Sequence, residues 1–314
     1  MGKTNQKTKS YPRPFLKWAG GKKQLLKCFD KCLPPEIKKS KKIENYAEPF
    51  VGGGALFFYL KRCGYNINEA YLSDINKELI LTYKVIQNNP NNLIKELKKF
   101  AEEYLPKSEE DRKNYFYNVR EEFNEKMIGF NYEKYSEKHI IRASQMIFLN
   151  KTCFNGLFRV NKKGKFNVPA GRSKNPLICD EKNILEVSKA LKDVTIVTAD
   201  YSDSEEFITN NTLVYLDPPY RPLNNTSSFN GYSKELFDDK CQIELGEFYK
   251  RISEKDAKII LSNSNPKNTN PNDDFFEKIY ENYNIHEVSA KRFINSKGEG
   301  RGPIKEILVT NYNI

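Results

Sequence analysis

Between residues 46 and 88 the chain runs strand, glycine-rich turn, helix, strand, helix, and this order constrains the fold more than any other feature. Tyr46-Ala47-Glu48 reads as the end of a strand and Pro49-Phe50-Val51-Gly52-Gly53-Gly54 as a turn. Ala55 to Arg62 reads as an apolar helix, Ala70 to Ser73 as a strand ending at Asp74, and Asn76 to Asn88 as a further helix. Such an order belongs to the nucleotide-binding half of an α/β fold. Glycine lets the turn take positive φ and lets a ligand approach the backbone closely. The spacing is not GxGxxG, and Gly20-Gly21-Lys22-Lys23 lacks the features of a P-loop. Taken alone, the turn suits tight packing as well as a ligand. An acid at the end of the next strand, about 20 residues on, is placed to grip ribose hydroxyls. Turn and Asp74 together point to an adenosine-bearing ligand, without requiring that it carry phosphate.

A second strand end carries chemistry. Leu213-Val214-Tyr215-Leu216 is a continuous apolar run, read as a buried strand, and Asp217-Pro218-Pro219-Tyr220 follows it directly. Binding groups gather at that edge of open α/β sheets. Asp217 can accept a hydrogen bond from an amine, the Pro218 carbonyl can accept another, and Tyr220 can stack on a flat ring. The bland reading is a strand exit in which Pro218 and Pro219 merely stop the sheet.

From about 89 to 193 the texture is helical, with patterns over 93–103, 109–126 and 137–149, before an irregular stretch from Lys151 to Arg172. Within it, 158–160 and 165–168 flank Asn161-Lys162-Lys163-Gly164 and read as a hairpin. Strand signals return at 195–197, 213–216, 258–261 and 307–310. The expected organisation is therefore a basic flexible tail (1–10), an α/β domain built from 11–88 and 194–314, and a helical, hairpin-bearing insert (89–193).

Composition narrows the partners. The net charge of +11 comes from 41 Lys and 11 Arg against 41 acids. That excess fits a nucleic-acid partner, but Lys, Asn and Ile abundant together also fit an AT-rich genome. The arginines carry more weight, because a guanidinium fork reads phosphate and guanine in ways lysine cannot. Six scattered cysteines without CxxC spacing and two histidines give no zinc pattern. No stretch approaches the ~20 apolar residues of a membrane span, and 1–10 lacks an apolar signal region. A cytoplasmic protein with reduced thiols, no metal and no membrane partner is expected, acting as a monomer.

Phe50-Val51-Gly52-Gly53-Gly54, Asp74 and Asp217-Pro218-Pro219-Tyr220 together resemble amino-methyltransferases that use S-adenosylmethionine, and more specifically the Dam-type DNA adenine methyltransferases. The resemblance runs from Pro14-Phe15-Leu16-Lys17-Trp18-Ala19-Gly20-Gly21-Lys22 to Lys305-Glu306-Ile307-Leu308. It includes Phe154-Asn155-Gly156-Leu157-Phe158-Arg159 and Phe166-Asn167-Val168-Pro169. It implies a Rossmann-like methyltransferase sheet with a DNA-recognition insert. Trp18, Lys22, Phe50, Gly52, Asp74, Tyr201 and Asp217 would line the cofactor pocket, and Asp217, Pro218, Pro219 and Tyr220 would perform the reaction. Arg159 would contact a guanine, Phe154 would wedge beside a displaced adenine with Asn155 alongside, and Lys17 would meet an outer base pair. Phe154 departs from the tyrosine of the best-known relatives, which removes a hydroxyl. Arg172, Lys174 and the basic loop from Arg292 to Arg301 are expected phosphate contacts. The implied activity is methyl transfer to the exocyclic amine of adenine in double-stranded DNA, at GATC, with base flipping. The same chemistry on RNA or a protein amide, or an inactive DNA-binding relative, are the alternatives. Intact Asp74, Asp217 and Tyr220 argue against the inactive form.

Overall fold

The computed structural model describes residues 10–18, 26–222, 237–291 and 303–314. In chain order the elements are α1 (Leu26–Cys32), α2 (Pro35–Ser40), β1 (Lys42–Glu48), α3 (Ala55–Arg62), β2 (Asn66–Asp74) and α4 (Lys77–Asn88). Four helices then intervene: α5 (Pro90–Tyr104), α6 (Glu109–Glu125), α7 (Glu137–Thr152) and α8 (Glu181–Ala190). The sheet resumes with β3 (Thr195–Thr198) and β4 (Thr212–Leu216), followed by α9 (Asp239–Ser253), β5 (Lys258–Ser264), α10 (Phe275–Ile279), β6 (Asn284–Lys291) and β7 (Pro303–Thr310).

The seven strands lie in the order β3-β2-β1-β4-β5-β7-β6. β3, β2, β1, β4 and β5 are parallel, and β7 runs antiparallel to both of its neighbours. The chain winds outward from β1 to β3, then returns to lay β4 against the other side of β1. A crevice opens where such winding reverses, beyond the carboxyl ends of the strands.

Every residue of β4 is buried. Successive side chains alternate between faces. Leu213 and Tyr215 pack with Phe29 of α1, Phe57 of α3 and Leu79 of α4, while Val214 and Leu216 pack with Leu245, Phe248 and Ile252 of α9. A strand covered on both faces needs an unbroken apolar run rather than alternation, which is why this run is legible.

On the first face, α7 is the buried centre of a helical layer against α4, α5 and α6. Its Arg142 is almost wholly buried. The guanidinium Nε donates to both carboxylate oxygens of Glu78 on α4 (3.0 and 2.8 Å), and Nη1 donates to the Phe123 carbonyl of α6 (3.1 Å). Three elements are thus tied through one cation. The start of α4 is fixed separately by Asn76, whose side chain accepts from the Glu78 and Leu79 N–H groups, both at 3.1 Å.

The expected hairpin around Asn161-Gly164 is present in short form: Val160 and Phe166 form an antiparallel bridge, the Asn161 N–H donates to the Lys165 carbonyl (2.9 Å), and the Asn167 N–H donates to the Arg159 carbonyl (3.0 Å). Side chains add to these backbone bonds. Asn161 accepts from Lys163 and Lys165 N–H (3.0 and 3.1 Å), and Asn124 of α6 pairs with both backbone groups of Phe166 (2.8 and 3.0 Å). Asn side chains bond nearby backbone in this way at turns. Neither α8, α9 nor β6 was marked in the sequence reading. β6 is an edge strand, and its polar Asn284, His286 and Glu287 suit an exposed edge. Lys22 and the basic loop 292–301 lie outside the described residues. Among the described residues no helix is long and apolar enough to cross a membrane, and no cluster of three His, Cys, Asp or Glu is placed to hold a metal.

Candidate active site

The glycine-rich turn joins the ends of β1 and β2. Gly52 takes a positive φ of 45°, and its N–H donates to Asp74 Oδ2 (3.1 Å) while its carbonyl accepts from the Tyr83 hydroxyl (3.0 Å). A β-carbon on Gly52 would stand 2.9 Å from Trp18 Cδ1, so the indole lies directly over bare backbone. The Asn76 N–H donates to the other oxygen of Asp74 at 2.9 Å. Burial pushes the Asp74 carboxyl up to about 6, against the pull of the two backbone donors. Phe50, just past β1, stacks on Tyr201, just past β3, with centroids 5.3 Å apart, and Phe237 meets Phe50 edge-on. Four residues singled out in the sequence, Trp18, Phe50, Gly52 and Asp74, thus meet at one rim, with Tyr201 closing it. Asp200 caps its own turn, accepting from the Ser202 N–H and hydroxyl.

Asp217 ends β4 at the same rim. Ser262 on β5 donates its hydroxyl to Asp217 Oδ1 at 2.8 Å. With the serine proton so engaged, the Tyr215 hydroxyl, 3.0 Å away, is the donor to Ser262. The turn after Asp217 is pinned from two sides. Gln242 of α9 donates to the Pro219 carbonyl (3.0 Å) and is itself held by Asn263 (3.0 Å), while Ser264 donates to the Arg221 carbonyl (2.8 Å). Arg221 pairs with Asp239 and Asp273 and lies over the Phe275 ring. Tyr220 donates its hydroxyl to Glu306 of β7 at 2.8 Å. Burial and the Asp217 charge hold that phenol well above its ordinary value, so it stays neutral.

The sequence reading missed the supporting polar groups. Glu48, at the end of β1, is buried, and its Oε2 accepts from the Tyr46 hydroxyl (2.7 Å). Burial, with the charge of Asp217 adding to it, pushes this carboxyl up to about 8. Ser262 lies one step past the Leu216–Leu261 pair and so is level with Asp217. That register is a tertiary fact with no local sequence signal. Glu306 and Gln242 are of the same kind.

The stretch after α7 forms a separate cluster. Asn155 and Gly156 both take positive φ (57° and 66°), which swings Phe154 out to 49% exposure. The Arg159 Nε donates to Asn167 Oδ1 at 2.8 Å, across the turn. The side chain of Lys17 is exposed, with its stem against Gly156. Arg172 is exposed just past Gly171, whose N–H donates to the Thr152 carbonyl at the base of the Phe154 loop (2.8 Å).

A family model described as D12 class N6 adenine-specific DNA methyltransferase matches residues 18–294. The chain belongs to this family. The methyltransferase is 48% identical over 301 residues to "Type II methyltransferase M.MjaIII" of Methanocaldococcus jannaschii, covering 96% of this chain and 99% of that protein. It is 36% identical over 309 residues to "Type II methyltransferase M1.LlaDCHI" of Lactococcus lactis subsp. cremoris, covering 98% of each. It is 30% identical over 296 residues to the "DNA adenine methylase" of Escherichia coli K12, covering 94% of each. The resemblance read from the sequence holds at the level of the family, and the methyltransferase is an adenine-specific enzyme of DNA. Its family chemistry implies S-adenosylmethionine as methyl donor, and its seven-stranded sheet is consistent with that class of fold.

Proposed function

We propose that the methyltransferase modifies the exocyclic amine of adenine in double-stranded GATC sites, after flipping the base into the crevice between β1 and β4. Residues 11–88 and 194–314 act as the catalytic domain and 89–193 as the target-recognition insert. The observation that carries the reading is Asp217 locked by Ser262 at the switch point, on the same rim as Asp74. The type II names of two relatives favour a modification role beside a nuclease. Sequencing of treated plasmid DNA for N6-methyladenine tests target base and context together. Methylation confined to another motif rejects GATC, and methylation of RNA or protein alone rejects the substrate class.

The rim fits the methyl donor. Asp74 offers acceptors to ribose hydroxyls, Phe50 and Tyr201 offer apolar ring faces, and the indole of Trp18 suits a sulfonium. When bound, S-adenosylmethionine supplies an electrophilic methyl on a cationic sulfur. The adenine amine is a poor nucleophile because its lone pair is delocalised into the ring. Ser262 donates to Oδ1 of Asp217 and so orients the carboxylate to accept from the amine. The Pro219 carbonyl is taken by Gln242, so the second acceptor is that of Pro218. Both acceptors gain strength as the nitrogen becomes positive, and only after the methyl has arrived does the nitrogen pass a proton to the Asp217 carboxylate, which returns it to water. Tyr220, anchored on Glu306, stacks on the flipped ring.

Two outcomes follow. Asp74 binds ribose as a carboxylate, and its raised value makes it mostly protonated below about pH 6. Affinity for S-adenosylhomocysteine should therefore fall about tenfold from pH 7.5 to pH 5, following the ionised fraction. Calorimetry should show this slope vanish in Asp74→Asn; an unchanged slope would assign it to another group. For Arg159→Ala, preference for the target over a site with one guanine replaced should drop by about 1–3 kcal/mol, roughly 5- to 150-fold. Equal loss on all sequences would indicate a phosphate contact instead.

A further inference from the structure

We propose that Asn150 is a positioning residue that locks the cofactor-side segment to the recognition loop, so that cofactor occupancy and target discrimination are coupled through one buried amide. The proposal rests on the DNA-modifying function argued above. Asn150 lies near the end of α7 and is 1% exposed. Its Oδ1 accepts from the Lys17 N–H at 2.9 Å. Its Nδ2 donates to the Lys17 carbonyl and to the Gly156 carbonyl, both at 2.9 Å. One side chain thus satisfies both backbone groups of residue 17, as a neighbouring strand would, and spends its second proton on the loop.

The two segments it joins carry different duties. Residues 17 and 18 supply Lys17 and the indole that covers Gly52. Gly156 lies between Phe154 and Arg159. A second contact runs beside the amide, where Trp18 stacks on Phe158 at 5.3 Å with ring planes 20° apart. Gly156 accepts the Lys17 stem only because it has no β-carbon, which would stand 2.3 Å from Lys17 Cδ. The Cys153 thiol bonds the Leu157 carbonyl (3.2 Å) and holds the loop base to α7. A ligand that presses on Trp18 therefore presses on Phe158, the residue preceding Arg159. A loop that settles on DNA likewise settles Trp18. Reciprocity of binding then follows from thermodynamics.

The test uses the full-length enzyme and the duplex sequence that it methylates. S-adenosylhomocysteine affinity is measured by calorimetry with and without that duplex, and kcat/KM is compared on the target and on a duplex with one base pair changed. Wild type should bind the analogue at least about fivefold more tightly with the target duplex, within the usual range of such couplings. Asn150→Asp keeps the acceptor for Lys17 N–H and loses both donors; Asn150→Ala loses all three bonds. Each should bring the coupling factor close to one and lower discrimination about tenfold, a single-contact effect in size. Phe158→Leu, which keeps an apolar side chain, should weaken the coupling in the same direction. It decides the matter if the Asn150 variants do not fold. Equal loss of kcat/KM on both duplexes with the coupling factor unchanged would make Asn150 a plain stability residue and overturn the proposal. So would a wild-type coupling factor of one. A wild type that fails to methylate duplex DNA overturns the functional reading as well, which separates the two failures.

Discussion

Asp217→Ala will lower kcat by on the order of 10²–10³-fold or more, with little change in melting temperature. The size follows from what Asp217 does rather than from its burial. Ser262 donates to one carboxylate oxygen at 2.8 Å, so the carboxylate is oriented before substrate arrives. Alanine leaves the amine untethered just as positive charge builds on it. The backbone of the turn is held elsewhere, by Gln242 on the Pro219 carbonyl and Ser264 on the Arg221 carbonyl, and the fold survives. Removing the Asp217 charge also relieves one cause of the raised Glu48 carboxyl. Labelled methyl transfer under saturating donor and DNA measures kcat, and circular dichroism melting checks the fold. Turnover within tenfold of wild type in a folded variant would sink the mechanism. Asp217→Asn discriminates further: it keeps the shape but turns one acceptor into a donor facing another donor, so it should be as inactive as alanine.

Glu78→Ala will cost about 3–5 kcal/mol of stability, the largest single-residue loss expected outside the strands. The Arg142 side chain is 2% exposed and that of Glu78 is 12%. Truncating the acid leaves a guanidinium that cannot lose its proton, ringed by Phe123, Phe130 and Tyr132. Only the Phe123 carbonyl continues to compensate it among these contacts. Urea denaturation of Glu78→Ala, Arg142→Met and the double variant Glu78→Leu/Arg142→Met separates the penalty from the value of the pair. The single acid deletion should be worst, and the double apolar replacement should recover most of the loss, because a buried pair compares poorly with good packing. If the double variant were no better than Glu78→Ala, desolvated charge would not be the cause. The consequence reaches the site, since Glu78 lies in the first turn of α4, immediately after Asp74 and Asn76.

What the sequence disclosed, it disclosed through local periodicity and through residue types with narrow uses. The run 213–216 read as a buried strand, and Asp74 and Asp217 could be placed because each follows a strand signal directly. Helix α3 matched its expected bounds because Gly54 before it and Gly64 after it punctuate the apolar run. The supporting shell was not legible. Ser262, Gln242, Asn150 and Glu306 are ordinary polar residues whose importance lies in what they face across the fold, and nothing in their neighbours encodes that. Glu48 was visible as a strand-end acid, but its burial depends on Tyr46, Asp217 and the helices above. The hairpin was legible from its turn, but its tether to α6 was not, because Asn124, remote in sequence, holds the Phe166 backbone.

The sheet order carries a consequence for how the molecule is made. β1 pairs with β4 through residues 45–47 and 212–214, with the whole helical layer lying between them in the chain. Contacts so distant in sequence form slowly, because a long loop must close before they reward it. Until Thr212 is available, β1 presents an unpaired parallel edge, the kind of surface that invites aggregation. Packing of α4 through α8 before β4 arrives would shorten the effective distance between the two strands. β4 then covers the open edge of β1, and its own outer edge waits for β5, so the strand that brings Ser262 to Asp217 is also the one that closes the last parallel edge of the site.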